Sequence, residues 1–244
     1  MTLLRLLQIV DSSFPNGSFS HSFGLETALS EQRIRSAGDL FDWLEEYAHG
    51  GMAGMDGPGV YWAYQYATEW LQGEQKGSAE SRSDAELLAR IIDLDERLTL
   101  SRLASESREG SSKIGKRYLR LVRELYPESG LHRYEQLIRT GGCYGQASVV
   151  HGWVCAFWQL PVEEAVSSFI YATLNSLVQN ALRAMSLGQT DGQLVLQRLI
   201  PVAEELAHEI VSAPPPPEEF WTCTLAQEIQ AMRHQFLYTR LFMS

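Results

Sequence analysis

The stretch Val166–Gln193, VSSFIYATLNSLVQNALRAMSLGQTDGQ, decides the fold. Apolar residues recur at Ile170, Leu174, Leu177, Val178, Ala181 and Met185, the spacing that lays them along one face of an α-helix. The other faces carry Thr173, Asn175, Ser176, Gln179 and Asn180, all uncharged, and between Glu164 and Asp191 the only full charge is Arg183. A helix so lightly charged around its circumference suits the centre of a bundle, wrapped by others. The periodicity stops at Gly188, read as a C-terminal cap, and Thr190 with Gln193 supplies the S/T-x-x-E/Q capping box of a following helix. Gly188–Gln193 is therefore expected to be a tight helix–helix joint, with more hydrogen-bonding capacity than a plain connector needs.

Outward from this stretch, the 244 residues are nearly half apolar, enough for a sizeable core. The formal net charge of −10 argues against a nucleic-acid surface and points to protein partners. No run approaches the roughly 20 apolar residues of a membrane span, and the N-terminus lacks a cleavable small-residue site, so a cytoplasmic protein without membrane attachment is expected. Cys143, Cys155 and Cys223 are widely separated and without a C-x-x-C pair, which reads as buried thiols and neither a disulfide framework nor a structural zinc site.

From the N-terminus, Leu3, Leu4, Leu6, Leu7 and Val10 predict a short helix over Thr2–Val10 packed on something larger. Phe14-Pro15-Asn16-Gly17-Ser18 is a sharp turn, after which a helix restarts near Ser18 or Ser20. The small residues between the aromatics of Phe19–Glu26 suit close backbone approach, and His21, without acids or thiols at ligand spacing, reads as a structural histidine. Asp39 is read as an N-cap before Leu40, Trp43, Leu44 and Tyr47. The glycine-rich Gly50–Gly59 lacks G-K-[ST] and a preceding strand, so it is a helix joint and not a phosphate loop. Helix resumes over Val60–Leu71, and Gln72–Ser83 is expected to be a solvent-exposed loop.

Asp84 reads as the N-cap of a helix carrying Leu87, Leu88, Ile91, Ile92, Leu94 and Leu98, with Asp93, Asp95 and Glu96 as a solvated acidic face. Ser101–Arg117 mixes charges with Gly110 and Gly115; then Tyr118, Leu121, Val122 and Leu125 form a stripe ended by Pro127. Thr140–Gly145 is a joint. Ala147–Trp158 has strand-like composition, but its length and neighbours favour a buried helix ending near Leu160-Pro161, with His151 a satisfied core residue. Val195, Leu199, Val202, Leu206 and Ile210 form another stripe, with a kink expected at Pro201. Pro214–Pro217 act as a stiff spacer. The apolar terminus beyond is either a last helix folded back on the core or a segment that orders on a partner.

Three segments together resemble the UreF family of urease accessory proteins. Asp11–Glu26, DSSFPNGSFSHSFGLE, looks like the family's N-terminal signature; Arg183, Leu187, Gly188, Gln189, Thr190, Asp191, Gly192 and Gln193 match its R-x-x-x-L-G-Q-T-D-G-Q; and Tyr238–Ser244, YTRLFMS, is close to its tyrosine-serine-arginine-leucine-phenylalanine ending. Two departures stand out: Ala184-Met185-Ser186 replaces the common leucine-isoleucine-proline, and Gln235 stands where many members have glutamate after the histidine.

The resemblance implies an all-α protein, a single helical-bundle domain of about ten helices spanning residues 1–213, with 214–244 a proline spacer and partner-docking tail. It implies a scaffold and not an enzyme, without cofactor or resident metal. Such a scaffold bridges UreD (also called UreH) and the GTPase UreG, as a homodimer, for nickel insertion into apo-urease. Carried over residue by residue, its partner-binding positions are Phe14, Pro15, Gly17, Ser20, Phe23, Gly24 and Glu26; Arg183, Gly188, Gln189, Asp191 and Gln193; and Phe236, Tyr238, Arg240, Leu241 and Phe242. On this reading the tail orders on UreD and braces the Gly188–Gln193 turn as the GTPase docking surface. The alternative from the residues alone is a helical enzyme of isoprenoid-processing or haem-degrading type, using Asp93 and Asp95 or a histidine.

Overall fold

A computed structural model describes residues 2–75 and 81–244, and among these all regular structure is helical. The helices are α1 (Thr2–Val10), α2 (Leu25–Ser30), α3 (Ala37–Tyr47), α4 (Gly57–Gln75), α5 (Ser81–Leu100), α6 (Ser105–Leu125), α7 (His132–Arg139), α8 (Ala147–Phe157), α9 (Val162–Ala184), α10 (Gln189–Ser212) and α11 (Leu225–His234). A π-helix, Ala48–Asp56, joins α3 to α4.

The expected central helix is α9, and its stripe of Ile170, Leu174, Leu177, Val178 and Ala181 is buried. It lies against α10 on one side and α4 on the other, while α4 packs along α8. Glu163 and Glu164 in the first turn of α9 and Arg183 in its last complement the helix dipole. The α4–α8 pair is close because Gly152 has no side chain: a Cβ there would run into the carbonyl of Val60. Each buried Leu or Ile of this core contributes roughly 1.5–3 kcal/mol relative to exposure.

Several expectations are corrected. Gly188 is not the C-cap of α9, which ends at Ala184; it is the N-cap of α10, its N–H donating to Asp191 Oδ2 at 3.1 Å. The joint is thus Met185–Gly188, and Gln189–Gln193 is the first turn of α10, capped by Asp191 and not by Thr190 with Gln193. The N-cap of α3 is Ser36, accepting from the Asp39 N–H at 3.1 Å, while Asp39 accepts from the Arg35 N–H at 2.8 Å, which holds its carboxyl below the usual range. Helix α5 begins at Ser81, so Asp84 lies inside it; of the expected loop Gln72–Ser83, residues 76–80 lie outside the described residues and the rest is helical. The helix expected near Ser18 or Ser20 is only a 3₁₀ turn, Ser18–Ser20, and α2 starts at Leu25. On α1 only Leu6 and Ile9 are buried; Leu3, Leu4 and Leu7 face outward.

Asp95 is the clearest correction. It is wholly buried and accepts from the Tyr144 N–H at 2.5 Å, the Gly145 N–H at 3.0 Å and the Tyr134 hydroxyl. Burial raises its pKa while those donors pull it back down. It is a staple for the turn before α8, not a solvated acid. Among the cysteines, Cys143 and Cys155 are buried, their thiols pushed up by desolvation, but Cys223 is exposed. Leu125, expected in a stripe, is also exposed.

Candidate functional site

The chain's two ends meet over the C-terminal part of α9. The Pro15–Gly17 turn is set by Gly17, at φ 91°, and leads into the 3₁₀ turn whose Ser20 carbonyl accepts from the Met243 N–H at 2.8 Å. Phe14 anchors this turn in the core, edge-on to Tyr118 with ring centroids 5.8 Å apart. Beside it, His21 Nδ1 lies 2.6 Å from Ser244 Oγ, and the Ser22 hydroxyl donates to the Ser244 carbonyl at 2.8 Å. Burial, helped by the nearby Lys113 charge, lowers the His21 pKa to about 4, so this imidazole is neutral near neutrality.

Phe23 and Gly24 then turn the backbone through positive φ (50° and 94°) into α2. A Cβ on Gly24 would stand 2.6 Å from the Gln227 carbonyl, so the absent side chain is what admits α11. Glu26, on the first turn of α2, gathers the tail: its carboxylate accepts from the Leu241 N–H at 2.5 Å, the Phe242 N–H at 3.1 Å and His234 Nε2 at 2.8 Å. The other His234 nitrogen, Nδ1, faces Glu106 of α6 at 2.8 Å, and Arg240 reaches the same carboxylate at 3.4 Å. Two backbone donors and an imidazole on one buried carboxylate form a directional clamp, since charge-assisted bonds are about twice as strong as neutral ones.

Helix α9 closes the junction. The Asn180 amide, fully buried, donates to the His21 carbonyl at 2.8 Å, and Arg183 donates to the Phe19 carbonyl at 2.8 Å. The Arg183 guanidinium also lies 5.2 Å from the centre of the Phe242 ring. The N-terminal and C-terminal segments and Arg183 are therefore brought together. Gly188, Gln189, Asp191 and Gln193 are not part of this hydrogen-bonded knot; they lie beyond Arg183, where Gly192 packs on Leu182.

The sequence-derived positions divide by exposure. Phe14, Glu26 and Phe242 are buried and hold the junction together, with Gly24 seating α11 and Ser20 and Phe23 half-buried beside them. Pro15, Arg183, Gly188, Gln189, Gln193, Phe236, Tyr238, Arg240 and Leu241 are exposed, with Tyr238 standing entirely free. On α11, Leu225, Ile229 and Met232 are also exposed and, with Phe236, line one side. Sequence reasoning missed His234, Glu106 and Asn180; Asn180 is one of several uncharged polar residues on α9, and nothing in the sequence separates it from Asn175 or Gln179.

A second polar feature lies inside the bundle. A cavity of about 90 Å³ is lined by Tyr118, His151, Gln146, Ser148 and Arg102 among others. Arg102 pairs with Asp56 at 2.6 Å, both nearly buried, and His151, held between the Tyr118 hydroxyl at 2.9 Å and Ser168 Oγ at 3.0 Å, has its pKa lowered by burial to about 3. Among the described residues no three His, Cys, Asp or Glu side chains gather as a metal site, and no helix is long and apolar enough to cross a membrane.

The family model for UreF matches residues 34–200. The urease accessory protein UreF of Bacillus sp. (strain TB-90) is 34% identical over 242 residues, covering 99% of both chains. That of Lachnoclostridium phytofermentans is also 34% identical, covering 99% of this chain and 98% of the relative, and that of Paenarthrobacter aurescens is 31% identical, covering 99% and 97%. Both end segments lie outside the family model's match but within these full-length similarities, and the family is one of accessory proteins, not of enzymes. The chain belongs to the UreF family of urease accessory proteins.

Proposed function

We propose that this chain acts as a scaffold in urease maturation, bridging UreD and the GTPase UreG so that nickel, as cargo, is inserted into apo-urease. The observation that carries the reading is the exposed apolar and aromatic face of α11 and the tail, Leu225, Ile229, Met232, Phe236 and Tyr238, mounted on a clamped junction. Such a face suits a partner's apolar groove, and aromatic anchors of this kind dominate binding energy at interfaces. In this reading residues 214–244 form the docking segment for UreD. Arg183, tied to both chain ends and followed by the capped start of α10, relates that segment to Gly188–Gln193 as the UreG-facing surface. Homodimer formation within the assembly, a cytoplasmic location and an influence on the GTPase belong to the same reading and rest on the family resemblance.

The test is urease activity in cells whose urease operon lacks its F component. The complete chain, supplied with matching UreD and UreG, restores nickel-dependent activity. The double variant Phe236→Ala/Tyr238→Ala keeps its melting temperature but loses co-purification with UreD. Full retention of UreD by that variant overturns the assignment of the tail, and failure of the complete chain to restore activity overturns the scaffold reading.

A further inference from the structure

Helix α6 carries a ridge of cations that the junction does not use. Lys113, Lys116, Arg117 and Arg120 fall at i, i+3, i+4 and i+7, on one face, and all are exposed. Many other surface cations of this acidic chain are engaged within it: Arg33 and Arg233 pair with Glu31, Arg90 with Glu69, Arg97 with Asp93 and Arg123 with Glu135, while Arg5, Arg183 and Arg198 lie over the rings of Tyr126, Phe19 and Phe41. On the ridge only Lys113 meets a carboxylate, at 3.5 Å from Glu109; among the described residues no carboxylate comes within ion-pair distance of Lys116, Arg117 or Arg120. The ridge is also rigid. Gly115 presses α6 directly on the backbone of Gly145–Ala147, and the aliphatic stems of Lys116 and Arg117 lie beside Gly145 and Gly17, two turns fixed at positive φ. Arg117 thus borders the Pro15–Gly17 turn of the junction.

We infer that this ridge docks a short acidic segment of a protein partner, its carboxylates meeting Lys116, Arg117 and Arg120. Charge and length select the occupant. The cationic face runs for about 10 Å of helix, while the chain as a whole carries −10. A nucleic acid or an anionic membrane extends well past such a ridge and meets the negative surface around it; a segment of a few carboxylates does not. The preformed cations, held without intramolecular partners, need no ion pair to be broken before docking. The inference rests on the scaffold reading for the partner's identity, though not for the chemistry.

The probe is hexaglutamate, titrated into the isotope-labelled full chain. Expected are amide shifts centred on Lys113–Arg120, an affinity that falls about tenfold between low and physiological salt, and loss of both in Lys116→Glu/Arg117→Glu/Arg120→Glu. The milder Lys116→Gln/Arg117→Gln/Arg120→Gln variant, with an unchanged melting temperature, also loses the peptide and lowers urease restoration. Shifts elsewhere, peptide binding unaffected by either variant, or ridge-dependent binding to phosphatidylserine vesicles or duplex DNA with none to the peptide overturns the proposal. If the unaltered chain restores urease activity and both ridge variants do so equally, the ridge proposal fails while the scaffold reading stands. If the unaltered chain itself fails, the scaffold reading fails and the peptide titration decides the ridge alone.

Discussion

The bundle core around α4, α8, α9 and α10 and the junction of the chain ends are held by different forces. In the core, Ile170, Leu174, Val150, Val154 and Leu199 are buried and close contact is set by missing side chains, as at Gly152. At the junction, the apolar Phe14 and Phe242 are accompanied by a dense set of directional bonds: Glu26 to two tail amides and His234, Asn180 and Arg183 to N-terminal carbonyls. Burial is non-directional, whereas a hydrogen bond fixes one geometry and costs its full desolvation when a buried partner is left unpaired. The core therefore sets whether the chain folds, and the junction sets how its exposed tail is presented.

Substitutions separate the two. The largest effect is expected from Leu174→Ala, which empties a wholly buried site and should lower global stability by about 3 kcal/mol, read by denaturant titration. Glu26→Ala strips the clamp from three donors and should cost about 2 kcal/mol, with the loss concentrated in the tail; equal loss of protection in α9 would merge the two regions into one. Gly24→Ala should cost about 1 kcal/mol in backbone strain alone, before the collision with Gln227, and should loosen α11 specifically. Acid sharpens the comparison further. His21 and His151 have folded pKa values near 4 and 3, below their unfolded value, so the unfolded chain takes up protons first. Their contribution is complete above about pH 6.5 and is lost progressively as pH falls towards those values. Thermal melts between pH 7 and pH 5 should show this decline, and His21→Gln should flatten part of it. Tyr238→Ala should be the smallest, within about 0.5 kcal/mol of the parent in stability.

The same division explains what the sequence disclosed. The stripes of α9 and α10, the buried helix over Ala147–Phe157 and the structural roles of His21 and His151 follow from periodicity and residue chemistry, which are local. Helix ends were less legible: Gly188 caps the start of α10 instead of the end of α9 because Asp191 answers its N–H, a competition that residue type alone does not decide. Asp95 was misread because its partners, Tyr134, Tyr144 and Gly145, come from distant segments. The junction was least legible of all. Glu26 and Leu241 lie at opposite ends of the chain, and no periodicity connects an acid on one turn to amides that far away. Resemblance marked the three segments; only the fold shows that the first and last touch, joined by Arg183 of the second, and that Phe14, Glu26 and Phe242 are anchors while Phe236 and Tyr238 are exposed.

Native-state amide exchange at Leu241 and Phe242, followed alongside Leu174, tests the central claim most directly. In the intact chain the two tail amides, donors to Glu26, should be protected, and in Glu26→Ala they should exchange freely while Leu174 on α9 stays slow. Tail amides that exchange freely in the intact chain, or that keep their protection without the Glu26 carboxylate, would contradict the account of a clamped junction distinct from the core.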